Sequence, residues 1–166
     1  MRPSSKRADR PLRRASFGLA CALLTLLLAT PAAAAEDGGF TSAMLRQLNR
    51  VRAGHHLSAV REDKRMDGGA LGHSRDMARR GYFAHGPWSG RVMASAGSAR
   101  SVGEVIGWRV QSSPRSEASD LVREWLDSPP HRQVLLSNRF RRIGIGRATA
   151  TSGGNSTALY TVDFAG

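Results

Sequence analysis

Arg142-Ile143-Gly144-Ile145-Gly146-Arg147-Ala148-Thr149-Ala150 and, a few residues on, Ala158-Leu159-Tyr160-Thr161-Val162-Asp163-Phe164 are the stretch that decides the fold. Both segments alternate or run apolar. Ser152-Gly153-Gly154-Asn155 between them supplies turn residues, so the pair predicts a C-terminal β-hairpin. Working outward, Val102–Val110 predicts a further strand. Ser113-Pro114 gives a cap followed by proline at the first helical position, and Ala118, Leu121, Val122 and Trp125 form the apolar face behind it. Ser128-Pro129 repeats that start signal for a short helix ending near Leu136. Residues 82–103 are rich in Gly, Ser and Pro, which predicts a long loop with one helical turn at 92–96. Upstream, residues 63–81 read as a helix with Met66, Ala70, Met77 and Ala78 on one side, weakened near its start by Gly68-Gly69. Residues 41–53 read as another, capped by Thr41, with Met44, Leu45, Leu48 and Val51 on one face. Helices, a strand, more helix and a final hairpin predict an α+β fold with an antiparallel sheet.

The first 35 residues read as a targeting segment. Arg2, Lys6, Arg7, Arg10, Arg13 and Arg14 form a basic region, residues 17–29 are apolar, and Ala32-Ala33-Ala34-Ala35 offers a cleavage site. The apolar run is shorter than the about 20 residues of a membrane-spanning helix, so no stable transmembrane anchor is expected. Cys21 sits too early in that run, after Gly18, to mark a lipoprotein. Residues 36–166 then form a single domain, free of cysteine, which must be held by core burial alone. Removing six Lys/Arg and one Asp with the leader leaves 19 basic and 12 acidic residues, a net +7. Such a surface would attract anionic envelope polymers or lipid headgroups. The arginines are scattered except for Arg139, Arg141 and Arg142, and no nucleic-acid module is visible.

The residues that could carry chemistry are His85, Glu104 and His131. His85 lies just beyond a helix, Glu104 in a strand that otherwise wants apolar residues, and His131 in a first helical turn. Ends of elements commonly converge on a cleft. Two imidazoles and a carboxylate can hold zinc with water in the fourth position, or work as an acid/base pair. Residue types alone leave this open, since intervals of 19 and 27 residues match no compact metal motif. Separately, the three would be a loop cap, an exposed strand residue and a helix-start hydrogen-bonder. His73 reads as a half-buried helix residue with a hydrogen-bond partner, and His55-His56 as a surface pair. Trp88 is either an aromatic at a cleft mouth, suited to a glycan or lipid, or loop packing. Ser128 suits a helix cap better than a nucleophile, and Gly144-Ile145-Gly146 is strand rather than phosphate cradle.

Leu48-Asn49-Arg50-Val51-Arg52, Ala70-Leu71-Gly72-His73-Ser74-Arg75-Asp76-Met77-Ala78 and Tyr82-Phe83-Ala84-His85 come first in a longer pattern. Gly103-Glu104, Trp125-Leu126-Asp127-Ser128-Pro129-Pro130-His131-Arg132 with Leu135-Leu136, Ile143-Gly144-Ile145-Gly146 and Asp163-Phe164 complete it. In this order and spacing the chain resembles the CAP superfamily of cysteine-rich secretory, antigen 5 and pathogenesis-related proteins, in its cysteine-free secreted bacterial branch. The resemblance implies a three-layer α–β–α sandwich around a central antiparallel sheet. It also implies a cleft of two histidines and two glutamates, with His85, Glu104 and His131 at three of the four positions. Val105 stands where the family's Gly-Glu-Asn has asparagine. Ser128 stands near the second glutamate's place, with Glu124 and Asp127 the nearest carboxylates.

The expected protein is therefore secreted, or associated with the cell envelope. Its cleft of His85, Glu104, His131, Ser128 and Trp88 would bind a divalent cation such as zinc through His85, His131 and Glu104, and a lipid, sterol or anionic envelope polymer nearby. No catalytic residue is assigned. The competing readings are a metal-dependent hydrolase with Glu104 as general base, and a structural envelope module whose polar trio is an internal hydrogen-bond network.

Overall fold

The computed structural model describes residues 32–152 and 155–166. The expected leader, Cys21 included, lies outside the described residues except for its last four, which are backbone of the first helix. The described chain runs α1 (Ala32–Gly54), β1 (Arg61–Glu62), α2 (Lys64–Arg80), α3 (Trp88–Ala96), β2 (Val102–Val110), α4 (Pro114–Asp127), α5 (Pro129–Leu135), β3 (Arg142–Ser152) and β4 (Asn155–Ala165). Among the described residues no helix is long and apolar enough to cross a membrane.

Most starts and stops follow local signals. The Asp63 side chain accepts from the Arg65 N–H, and Gly81 ends α2 at φ 66°, a left-handed conformation that suits glycine. Ser113 caps α4 by accepting from the Ser116 N–H, and Pro114 opens the helix. Two expectations are corrected. Helix α1 runs through Thr41 rather than starting there, since alanines upstream propagate a helix well enough to carry Gly38-Gly39. The predicted long loop contains a nine-residue helix, α3, which begins at Trp88.

The sheet order is β1-β3-β4-β2. The hairpin and β2 pair antiparallel, while the two-residue β1 adds a parallel edge that the sequence did not signal. Helices α1, α4 and α5 cover one face and α2 and α3 the other, so the expected three layers are present. On the α1/α4 side, Phe40, Met44 and Leu48 meet Leu121, Trp125, Val105, Ile145, Val162 and Phe164. The other side is built for close approach. A Cβ on Gly144 would lie 2.2 Å from the Met66 carbonyl carbon, and one on Gly146 2.2 Å from the Leu71 amide nitrogen. Helix α2 therefore rests its backbone directly on β3.

Burial also changes the reading of the arginines. Arg52 is fully buried and donates to the carbonyls of Ser58, Leu135 and Ser137, tying α1 to the segment after α5. Arg147 is buried against Glu117. The Arg139–Arg142 knot separates, since Arg142 bonds Asp63 and the Ala96 carbonyl. The scattered basic residues are partly struts, not all surface.

Candidate functional site

Strand β2 alternates its side chains between the two layers. Val105 enters the α1/α4 core, whereas Glu104 faces α2 and α3 with its side chain fully buried. Its partner across the ladder is Asp163 of β4, also fully buried. Ser101 and Gly166 exchange backbone hydrogen bonds, and the Gln111 N–H bonds the Ser156 carbonyl. These fix the parity, so 104 and 163 form a non-hydrogen-bonded pair, the closer kind. Two carboxyls directly opposite one another are destabilising unless something neutralises them.

Arg91, on the second turn of α3, supplies that charge. One guanidinium nitrogen bonds Glu104 Oε2 and the other Asp163 Oδ2, at 3.2 Å. Asp163 Oδ1 is buried without a partner. Burial, and then the nearby Glu104 charge, push the Asp163 carboxyl up to about 8, while Arg91 works in the opposite sense.

His85 closes the cluster from the loop between α2 and α3. Its Nδ1–H donates to Glu104 Oε1 at 2.7 Å, which orients the ring. Gly86 at φ 59° turns the chain immediately afterwards. His73, buried on α2, donates from Nε2 to the Ala84 carbonyl at 3.1 Å and holds the loop that carries His85. Burial, and secondarily Arg91, lower its pKa; it has the expected hydrogen-bond partner but is fully rather than half-buried.

His131 is half-buried at the start of α5, and burial followed by the charge of His85 lowers its pKa. The structure thus places His131 within electrostatic reach of His85, and His85 in contact with Glu104. Ser128 is the junction of α4 and α5. Its carbonyl accepts from the Arg132 N–H at 2.8 Å, and its side chain makes no capping bond. Trp88 does two things: it is half-buried against the Met66, Val92 and Ala96 cluster, and it lines a groove beside Glu104. That groove, about 240 Å³, has walls from Trp88, Val102, Pro130, Val134 and Phe140, with Arg139 at its edge. Glu124 is spent elsewhere, accepting from Arg109 Nη1 at 2.6 Å.

Both oxygens of Glu104 are engaged, by His85 and by Arg91. Among the described residues no three His, Cys, Asp or Glu side chains form a group able to hold a metal ion. Of the three expected ligands, His85 and Glu104 are in direct contact, and the carboxylate orients the imidazole.

Sequence reasoning missed Arg91 and Asp163 as members of the site. Asp163 carried the signal that marked Glu104, an acid in an otherwise apolar strand. Arg91 carried none, because its segment read as loop.

The family model for cysteine-rich secretory proteins (CAP) matches residues 45–164. An uncharacterized membrane protein of Bacillus subtilis, YlbC, is 29% identical over 103 residues, covering 59% of this chain and 28% of its own length. A second B. subtilis protein, YkwD, is 27% identical over 142 residues, covering 82% and 51%. The chain thus spans about half or less of the length of these relatives. Among solved structures, an extracellular protein with an SCP domain from Bacillus anthracis superposes with a TM-score of 0.61 at 27% identity, covering 78% of this chain and 41% of that one.

Proposed function

The chain belongs to the cysteine-rich secretory protein family (CAP), and from that premise we propose that it is an extracellular binding module whose cleft takes an anionic, single-chain lipid or similar envelope component. The observation that carries this reading is the groove beside Glu104. Trp88, Val102, Pro130, Val134 and Phe140 give it an apolar side, and Arg139 and Glu104 are among its polar lining residues. Apolar walls with few polar groups are the usual make-up of small-molecule sites. At about 240 Å³ the groove falls below the roughly 300–1,000 Å³ that encloses a drug-sized ligand. It suits a length of acyl chain better than a whole sterol. Arg139 is placed to pair with a headgroup carboxylate or phosphate.

Titration with a fluorescent fatty acid tests this. Val134→Glu, which puts a charge into the apolar wall, should weaken binding about tenfold or more, and Arg139→Ala several-fold. Equal affinity in wild type and Val134→Glu would remove the groove from the reading.

A second reading rests on a separate observation, the His85 ring oriented by Glu104 with His131 within electrostatic reach of it. These two imidazoles would hold a divalent cation such as zinc, with Glu104 behind as the orienting carboxylate. Bound there, the ion would act as an electrostatic anchor for an anionic ligand. Zinc affinity should fall as pH drops through the imidazole range and vanish in His85→Ala/His131→Ala. Affinity independent of pH would count against histidine ligation.

A further inference from the structure

Helices α1 and α4 pack together in the layer opposite the one that holds His85, and a groove of about 360 Å³ there is lined by Ala43, Arg46, Gln47, Arg50, Arg115 and Ser119. Half of that lining is arginine, and none of it is acidic. Arg46 and Arg50 stand one turn apart on α1, about 6 Å along its axis, and Arg115 lies in the first turn of α4. All three are exposed. Arginines on other helix surfaces have an acid within a turn: Arg79 and Arg80 pair with Asp76, and Arg123 with Asp120. Here Arg50 bonds the neutral Gln47 side chain, and among the described residues Arg46 and Arg115 have no ion pair. The acids of α4 are turned elsewhere, Glu117 to Arg147 and Asp120 to Arg109 and Arg123. Like charges four apart weaken a helix, and a cation in a first turn faces the positive end of the helix dipole. Stability does not account for this gathering.

We propose that this groove is a second binding site, in which Arg46, Arg50 and Arg115 hold a linear polymer carrying phosphate groups along its length. Guanidiniums converging on one concavity, with no carboxylate to neutralise them, favour a ligand that brings several anionic groups together. Each planar fork can bond two oxygens of a phosphate. The Gln47 amide gives its oxygen to Arg50 and keeps its N–H groups as further donors. No aromatic ring lines the groove, so nucleic-acid bases find nothing there to stack on. Ala43 is its one apolar member, so an acyl chain finds no wall. The ligand is recognised through charge, unlike the lipid beside Glu104, and the two sites share no residue. The net +7 of residues 36–166 adds long-range attraction for the same class of ligand.

The test is calorimetric titration of the full chain with inorganic polyphosphate, and with orthophosphate at the same total phosphate. Wild type should bind polyphosphate about tenfold more tightly or better, since one chain then makes several contacts. Arg46→Ala/Arg50→Ala/Arg115→Ala should weaken polyphosphate binding about tenfold or more, and make the dependence of log affinity on log salt shallower by about 2. Arg61→Ala/Arg75→Ala/Arg100→Ala removes the same charge from exposed positions outside the groove, and should cost less than about threefold. Equal losses in the two triple variants would mean attraction by net charge alone and overturn the proposal. Orthophosphate bound as tightly as polyphosphate overturns it too, as does tighter binding of single-stranded oligothymidylate of equal charge. If the groove variant does not fold, Arg115→Glu takes its place, since an acid in a first helical turn suits the dipole. Its polyphosphate affinity should fall about tenfold or more, and an unchanged affinity overturns the proposal. The fatty-acid titration uses a different ligand and different variants, so either reading can fail alone.

Discussion

The two faces of the sheet each bury an arginine–carboxylate contact, and they differ in charge balance. On the α1/α4 side, Glu117 accepts from Arg147 Nε at 3.0 Å and Nη2 at 3.3 Å, and from the Ser112 N–H at 2.8 Å. One acid meets one guanidinium, and both carboxylate oxygens are satisfied. On the α2/α3 side two acids share one guanidinium, an oxygen is orphaned, and a histidine on a turn completes the cluster. The balanced pair locks α4 to the sheet. The unbalanced one lies beside a groove and leaves one buried carboxyl oxygen without a partner.

Breaking the balanced pair should cost most. Arg147→Met leaves Glu117 buried without its cation, which typically costs about 3–5 kcal/mol and should show as a lower urea midpoint. A loss no larger than that of an exposed ion pair would erase the contrast between the two faces.

The unbalanced cluster should instead announce itself through pH. Asp163 binds its proton more tightly folded, with a pKa of about 8, than unfolded, where it titrates near 3.8. Between those values the native state holds a proton that the unfolded chain has released, so stability falls as pH rises, by up to about 1.4 kcal/mol per unit for one group. Asp67, pushed to about 6 by burial, contributes in the same sense only below that value. The lowered pKa values of His73 and His131 act in acid, where stability falls as pH drops. The window from pH 6.5 to 8 therefore isolates Asp163. Urea unfolding there should weaken with pH in wild type and be much flatter in Asp163→Asn, while Arg147→Met keeps the wild-type slope. Equal slopes in wild type and Asp163→Asn would mean that the carboxyl pair is already neutralised.

The smallest effect sharpens the assignment of the acids. Glu124→Gln removes an exposed partner of Arg109, and such pairs contribute little. It should leave both the unfolding midpoint and the zinc titration essentially as in wild type. A changed zinc affinity would bring α4 into the cleft.

Much of the fold was legible because its signals are local. Ser113-Pro114, Asp63, Gly81 and the alternation of the hairpin each act within a few residues, and the elements form where those signals stand. Elements without such a signal were misread. β1 is two residues long and exists through its pairing with β3, and α3 lacks a side-chain cap, held instead by Val92 and Ala96 packing on Met66. Of the site, Glu104 was conspicuous as an acid in an apolar strand, and the two histidines stood out at the ends of elements, where the family pattern also places them. Arg91 was not, since nothing near it in the chain shows that α3 aims it at two acids 13 and 72 residues away.

The sequence by itself determined that this chain makes helices, a strand and a terminal hairpin, and that acids and histidines stand at their ends. It did so because caps, turns and side-chain alternation are short-range effects of backbone geometry. Tertiary structure alone decided that Glu104 faces Asp163, that a single guanidinium sits between them, and that His85 receives its orientation from the same carboxylate. Those are matters of strand register and helix docking, in which a shift of one residue would turn the acids to the opposite layer.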